Sequence, residues 1–187
     1  MNVSRPTYVT GTDLVSLADM KEFLRVDHSD EDTTITALLD AASAFVSDYT
    51  NRHLNTSGTA TFFLPSFRPA ALAYGPVRSI SSVTYADGNG DTQTLSTSLY
   101  YLGQVRDNTC MIYFHDVPTL ELYNALPITV TAAVGSTPTA NIKHAVRMLV
   151  AHWYENRRSV ITGTTASEVP MGVHSLLNVE RIVDQRQ

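Results

Sequence analysis

The period of the apolar residues changes twice along this chain, and that change constrains the fold more than any other feature. Helical spacing runs from about residue 17 to 51, a period near two takes over from about 59 to 135, and helical spacing returns from 138. The alternating runs are short and parted by turn residues, with no helical stretch between them to carry a parallel crossover, so the strands must pair antiparallel. The pattern predicts an α+β fold, mainly helical, in which a helical domain carries a small antiparallel β insertion. At 187 residues the chain has room for one such domain with appendages.

Residues 1–16 carry Pro6 and Gly11 among Thr and Ser without period, and read as an extended N-terminal arm. Ser16, with Asp19 three residues on, resembles a capping box and opens a helix over 17–25. Ser29 reads as the cap of a second helix over 30–51, with Asp30, Glu31 and Asp32 as first-turn acids and Ile35, Leu38, Leu39, Ala42, Phe45, Val46 and Tyr49 on its apolar side. Four to six short strands follow. One loop between them is Asp87-Gly88-Asn89-Gly90-Asp91, whose residue types suit a tight hairpin turn.

Thr137 and Pro138 read as cap and first residue of a third helix over 138–158, ending in Arg157 and Arg158, cations that suit a negative helix end. Val146, Leu149, Val150 and Trp153 are expected at the centre of the core, while Met148 and Ala151 widen the stripe enough to imply a second packing surface. Residues 159–168 have linker composition. The last segment, 169–187, is apolar again at Val169, Pro170, Met171, Val173, Leu176, Leu177, Val179, Ile182 and Val183. Such a segment either folds back on its own core or docks on a partner.

Little here points to catalysis. Thirteen Lys plus Arg against eighteen Asp plus Glu give a net charge of −5, so no broad cationic field collects nucleic acid. The single cysteine, Cys110, excludes an internal disulfide, and its place in a predicted strand suits a buried structural thiol. No apolar run reaches the length of a membrane span, and the first residues lack the basic-then-apolar order of an export signal, so a chain kept in the cytoplasm where it is made is expected. Asp87, Asn89 and Asp91 match the first positions of a calcium loop, but Thr92 and Ser98 stand where its glycine and closing Glu belong. His144 and His152 lie eight residues apart, about 12 Å along a helix and too far for joint metal ligation. Neither a phosphate-binding loop nor a nucleophile elbow occurs, and no cofactor or metal is expected.

Four segments together resemble one family, the head-to-tail connector or adaptor proteins of long-tailed bacteriophages and prophages. They are Leu17 to Asp27 with the helix ending Tyr49-Thr50-Asn51-Arg52; Gly75-Pro76-Val77-Arg78-Ser79-Ile80 running into Val83-Thr84-Tyr85; Ile142 to Arg157; and Val169-Pro170-Met171-Gly172-Val173 with Leu176-Leu177. They occur in the family's order across about residues 16–182. The arm lies outside the likeness, and Asn178-Val179-Glu180-Arg181 departs from the family's usual ending.

The resemblance implies a ring of twelve copies beneath the portal vertex, in the neck of the virion, with DNA passing through its centre without specific binding. The implied partners are the portal protein, a stopper or tail-completion protein, and further copies of the chain, with no membrane involved. Residues 17–158 would form the connector domain, and 169–187 a portal-docking tail using Val169, Pro170, Met171, Val173, Leu176, Leu177 and Arg181. Neighbouring copies would meet through Asp30, Glu31 and Asp32 against Arg157 and Arg158. Two other classes stay open: a metal-dependent phage enzyme built on the acidic turn, and a regulatory DNA-binding protein, for which Arg147, Arg157 and Arg158 are few.

Overall fold

The computed structural model describes residues 2–4, 11–106, 109–119, 127–156 and 171–182, which divide where the hydrophobic period changes. Residues 11–54, 137–156 and 171–181 form a helical unit; 2–4, 55–106, 109–119, 127–136 and 182 form a β unit.

The helical unit contains α1 (Gly11–Leu14), α2 (Leu17–Leu24), α3 (Asp32–Thr50), α4 (Ala140–Glu155) and α5 (Met171–Glu180). The Ser16 hydroxyl accepts from the Asp19 N–H at 3.1 Å, so α2 starts where its cap dictates. It stops at Arg25, whose φ of 59° is left-handed, with the Val26 N–H closing back on the Lys21 carbonyl at 2.9 Å.

Helix α3 begins at Asp32, two residues later than expected, and Ser29 contributes only its carbonyl, accepting from the Asp32 N–H at 3.2 Å. Glu31 and Asp32 are drawn into tertiary contacts, which stand in place of a side-chain cap. Helix α4 also begins two residues late. Thr139, and not Thr137, is the cap, its hydroxyl accepting from the Ile142 N–H at 3.3 Å, which leaves Pro138 outside the helix. Arg157 and Arg158, residues 159–168, Val169 and Pro170 lie outside the described residues.

One apolar cluster holds the helices together. Met20 of α2 and Ile35, Leu39, Ala42 and Val46 of α3 meet Ile142, Ala145, Val146, Leu149 and Val150 of α4, with Val173 and Leu177 of α5. Trp153 is a correction: it is half-buried beside this core, edge-on to Phe45 at 6.3 Å between centroids. One heptad further along α4 than Val146, the stripe has passed the centre of the packing.

Helix α1 was not anticipated, since 11–16 read as arm. Its anchor is Gly11, whose N–H donates to Asp40 Oδ1 at 2.7 Å. A Cβ there would lie 2.1 Å from the Leu39 carbonyl carbon, so only glycine permits this approach to α3.

The β unit contains β1 (Asn2–Ser4), β2 (Gly58–Leu64), β3 (Ala70–Leu72), β4 (Val77–Ala86), β5 (Thr92–Thr94), β6 (Tyr100–Arg106), β7 (Thr109–Phe114) and β8 (Ile128–Val134). One sheet has the order β1-β2-β8-β4-β5 and the other β3-β7-β6, all neighbours antiparallel. Alternation does what the sequence implied: Ala60, Phe62 and Leu64 stand opposite Ala132, Val130 and Ile128, and all six are fully buried.

The β part is larger than a small insertion. Leu72, Tyr74, Cys110 and Ile112 join those residues in a core of its own, which gives the second sheet a face to bury. The fold is therefore α+β with helix and sheet in comparable measure, and not mainly helical. Part of the expected arm is itself a strand, Asn2, Val3 and Ser4 pairing with Phe63, Phe62 and Thr61.

Candidate interaction surfaces

The acidic turn separates into three different environments. Asp32 pairs with Lys21 at 2.7 Å, and Glu31 accepts the hydroxyl of Tyr154 on α4. Asp30 is left outermost, its side chain 89% exposed and 3.9 Å from His28 Nδ1. Two of the three proposed subunit-interface acids are thus engaged within their own unit. Among the described residues no group of three or more His, Cys, Asp or Glu is arranged to hold a metal.

The loop after β4 is a turn built by its own aspartate. Asp87 Oδ1 accepts from the N–H groups of Asn89 and Asp91, each at 3.0 Å, and Oδ2 accepts from Gln93 Nε2 at 2.9 Å. These bonds, the Gln93 amide first, hold the Asp87 carboxyl below its ordinary range. Gly90 takes the positive φ, 87°. Cys110 is buried in β7, its Sγ donating to the Val77 carbonyl at 3.5 Å, and burial pushes its thiol pKa up. His144 is exposed and meets the Phe23 ring edge-on at 6.5 Å, while His152 is half-buried on α4.

Helix α5 lies on the helical core of its own chain. Val173 and Leu177 are fully buried, so these two proposed docking residues are corrected to core residues: their apolar surface is covered by α3 and α4. Leu176 is half-buried, and Met171 and Val179 are 87% and 78% exposed. Arg181 stacks its guanidinium over Tyr49, 5.4 Å from the ring centroid. The Tyr49 hydroxyl donates to Asn178 Oδ1 at 2.7 Å, and the His174 ring sits 5.2 Å from the same tyrosine.

A buried polar junction fixes the far end of this helix. Glu180 is 8% exposed, and its Oε1 accepts from the Thr139 hydroxyl at 2.7 Å and from Asn141 Nδ2 at 3.4 Å. Arg52, 5% exposed, donates from Nε to the Glu180 carbonyl at 2.5 Å and places Nη2 3.5 Å from Oε2. Burial lowers the Arg52 pKa and the Glu180 charge opposes that shift. The carboxylate thus sits at the positive start of α4 and the guanidinium just past the negative end of α3, each favoured by a helix dipole. Sequence reasoning missed this junction. Its signal was the spacing 173, 177, 180, which puts Glu180 on the apolar side of α5, where a charge needs a buried partner.

The described helices include none long and apolar enough to cross a membrane. No curated protein matches the chain. Among solved structures, a chain from the virion of a native gene transfer agent particle aligns with a TM-score of 0.74 at 21% identity, covering 98% of this chain and 96% of that one. Chains from the neck of the empty particle, computed with C6 symmetry, and of the native particle, computed with C12 symmetry, align at TM-scores of 0.72 and 0.71 with 23% and 20% identity and the same coverage. These likenesses establish a shared fold across both units. The profile of the head completion protein family matches residues 13–183, from within α1 to beyond the Glu180 junction, and on that match the chain belongs to the head completion protein family.

Proposed function

We propose that this chain is the structural head-to-tail connector, or adaptor, of a tailed bacteriophage or related particle, located in the virion neck and serving assembly, not catalysis. The family match over residues 13–183 carries the reading. The fold shared with chains of gene transfer agent necks supports it, and the sixfold and twelvefold symmetry of those necks supports a closed ring, here of twelve copies. The ring would sit beneath the portal, join the capsid to a stopper or tail-completion protein, and let DNA pass. A net charge of −5 suits a channel wall that must not grip DNA.

The portal contact is assigned to the C-terminal segment in a form revised by the packing. Met171, Leu176 and Arg181 present surface, with Val169 and Pro170 just before them, while Val173 and Leu177 hold the helix on its base. Contacts between copies are assigned to Asp30, as the outermost acid of its turn, against Arg157 and Arg158. The mass of the purified chain, alone and mixed with the portal protein of the same particle, tests this. A ring-sized complex with the portal is expected, and a chain that ignores the portal at every concentration overturns the proposal.

A further inference from the structure

Helix α4 carries a sheltered donor without an acceptor. Arg147 is half-buried, and its Nε is sealed from solvent with no hydrogen-bond partner. The other sheltered cations of the helical unit are matched: Lys21 by Asp32, and Arg52 by Glu180. Snorkelling explains why an arginine buries its stem, but not why it shields a donor that then goes unpaired, which costs free energy in the isolated subunit.

The surroundings of Arg147 have the character of a docking patch. Lys143 and His144, one turn earlier on the same face, are exposed, and Phe23, 44% exposed, lies against the His144 ring. A planar guanidinium one helical turn from a histidine that meets an exposed aromatic belongs to the residue types that dominate protein interfaces. The patch is cationic on a chain of net charge −5, so its complement is a carboxylate-bearing protein surface. Exposed acids of the helical unit, among them Asp27, Asp30 and Glu155, offer that complement on the chain's own surface, and a rotational ring sets two different faces of one chain against each other.

We infer that Arg147, with Lys143, His144 and Phe23 around it, is the anchor of the contact between neighbouring copies, receiving a carboxylate from a second copy of this chain. The inference rests on the ring reading above and names the residue on which that contact turns. Arg147 is then a binding residue, and its unpaired Nε is a feature of the separated subunit.

The test uses the full-length chain and two variants, R147M, which keeps the apolar stem, and R147E. Self-association is measured by sedimentation at low and high salt, alongside the melting temperature and binding to a short double-stranded DNA. Wild type is expected to self-associate, less so at high salt. R147M should weaken association by about tenfold or more, as loss of an interface anchor does, and R147E further, with melting temperatures no lower than wild type. Variants that assemble like wild type overturn the inference and leave the connector reading untouched, since portal binding by wild type reports on that separately. Three further results also overturn it: a wild type that stays monomeric at all concentrations, a melting temperature that falls with R147M, and DNA binding by wild type that R147E abolishes, which would assign the patch to phosphate.

Discussion

Gly11, Cys110 and Asp87 each tie one side chain, or its lack, to a measurable property. At Gly11 a methyl group would collide with the α3 backbone at Leu39. Gly11→Ala should therefore cost about 1–3 kcal/mol as an overpacking change, read as a lower urea midpoint; an unchanged midpoint would mean α1 is not seated there. The buried Cys110 thiol has a raised pKa, so the native state keeps its proton after the unfolded chain, ionising at about pH 8.5, has lost its own. Stability should then fall as pH rises above that unfolded value, and more steeply in wild type than in Cys110→Ala. Equal slopes for the two proteins would contradict the burial argument. Asp87 has the opposite sign: its depressed carboxyl contributes stability above about pH 4 that is lost as pH falls through the folded value. An NMR titration should place its midpoint below that of an unstructured aspartate.

Among the elements, α5 and the junction at its end decide what the C-terminal segment can do. Removing one partner of a buried ion pair strands the other, so Glu180→Leu should cost about 3–5 kcal/mol, while Arg52→Met with Glu180→Leu should recover most of that loss. Denaturant titration of the single and double variants checks this, and a double variant no better than the single would show that Thr139 and Asn141 matter more than Arg52. Helix existence was legible because Ile35, Leu39, Ala42 and Val46, and likewise Ile142, Val146, Leu149 and Val150, keep one face through several turns. The start of α2 was legible because Ser16 is the one hydroxyl placed to cap it, whereas at α4 both Thr137 and Thr139 offer a hydroxyl and the cap is the second. At Asp32 a tertiary ion pair stands in place of a side-chain cap, and no local pattern encodes a partner eleven residues away. The destination of α5 was unreadable for a similar reason: the same Val173 and Leu177 spacing serves a docking peg or a core helix, and the choice depends on surface offered by α3 and α4.

At the scale of the whole molecule, the alternating block announced strands, but their number was underestimated because β1 lies in an apparently featureless arm and β3 among prolines. Neither segment has enough length to show a period. Family membership was legible because it rests on several spaced motifs in order, whereas the contacts of the proposed ring depend on surfaces that have no sequence period at all. The central claim is that this protein completes the head so that a tail can join, and particles made without it test that claim most directly. Such a deletion is expected to give heads that package DNA but bear no tails, and addition of the purified chain to those heads should restore tailed, infectious or transducing particles. Tailed particles assembled at normal yield in the absence of this chain would contradict it.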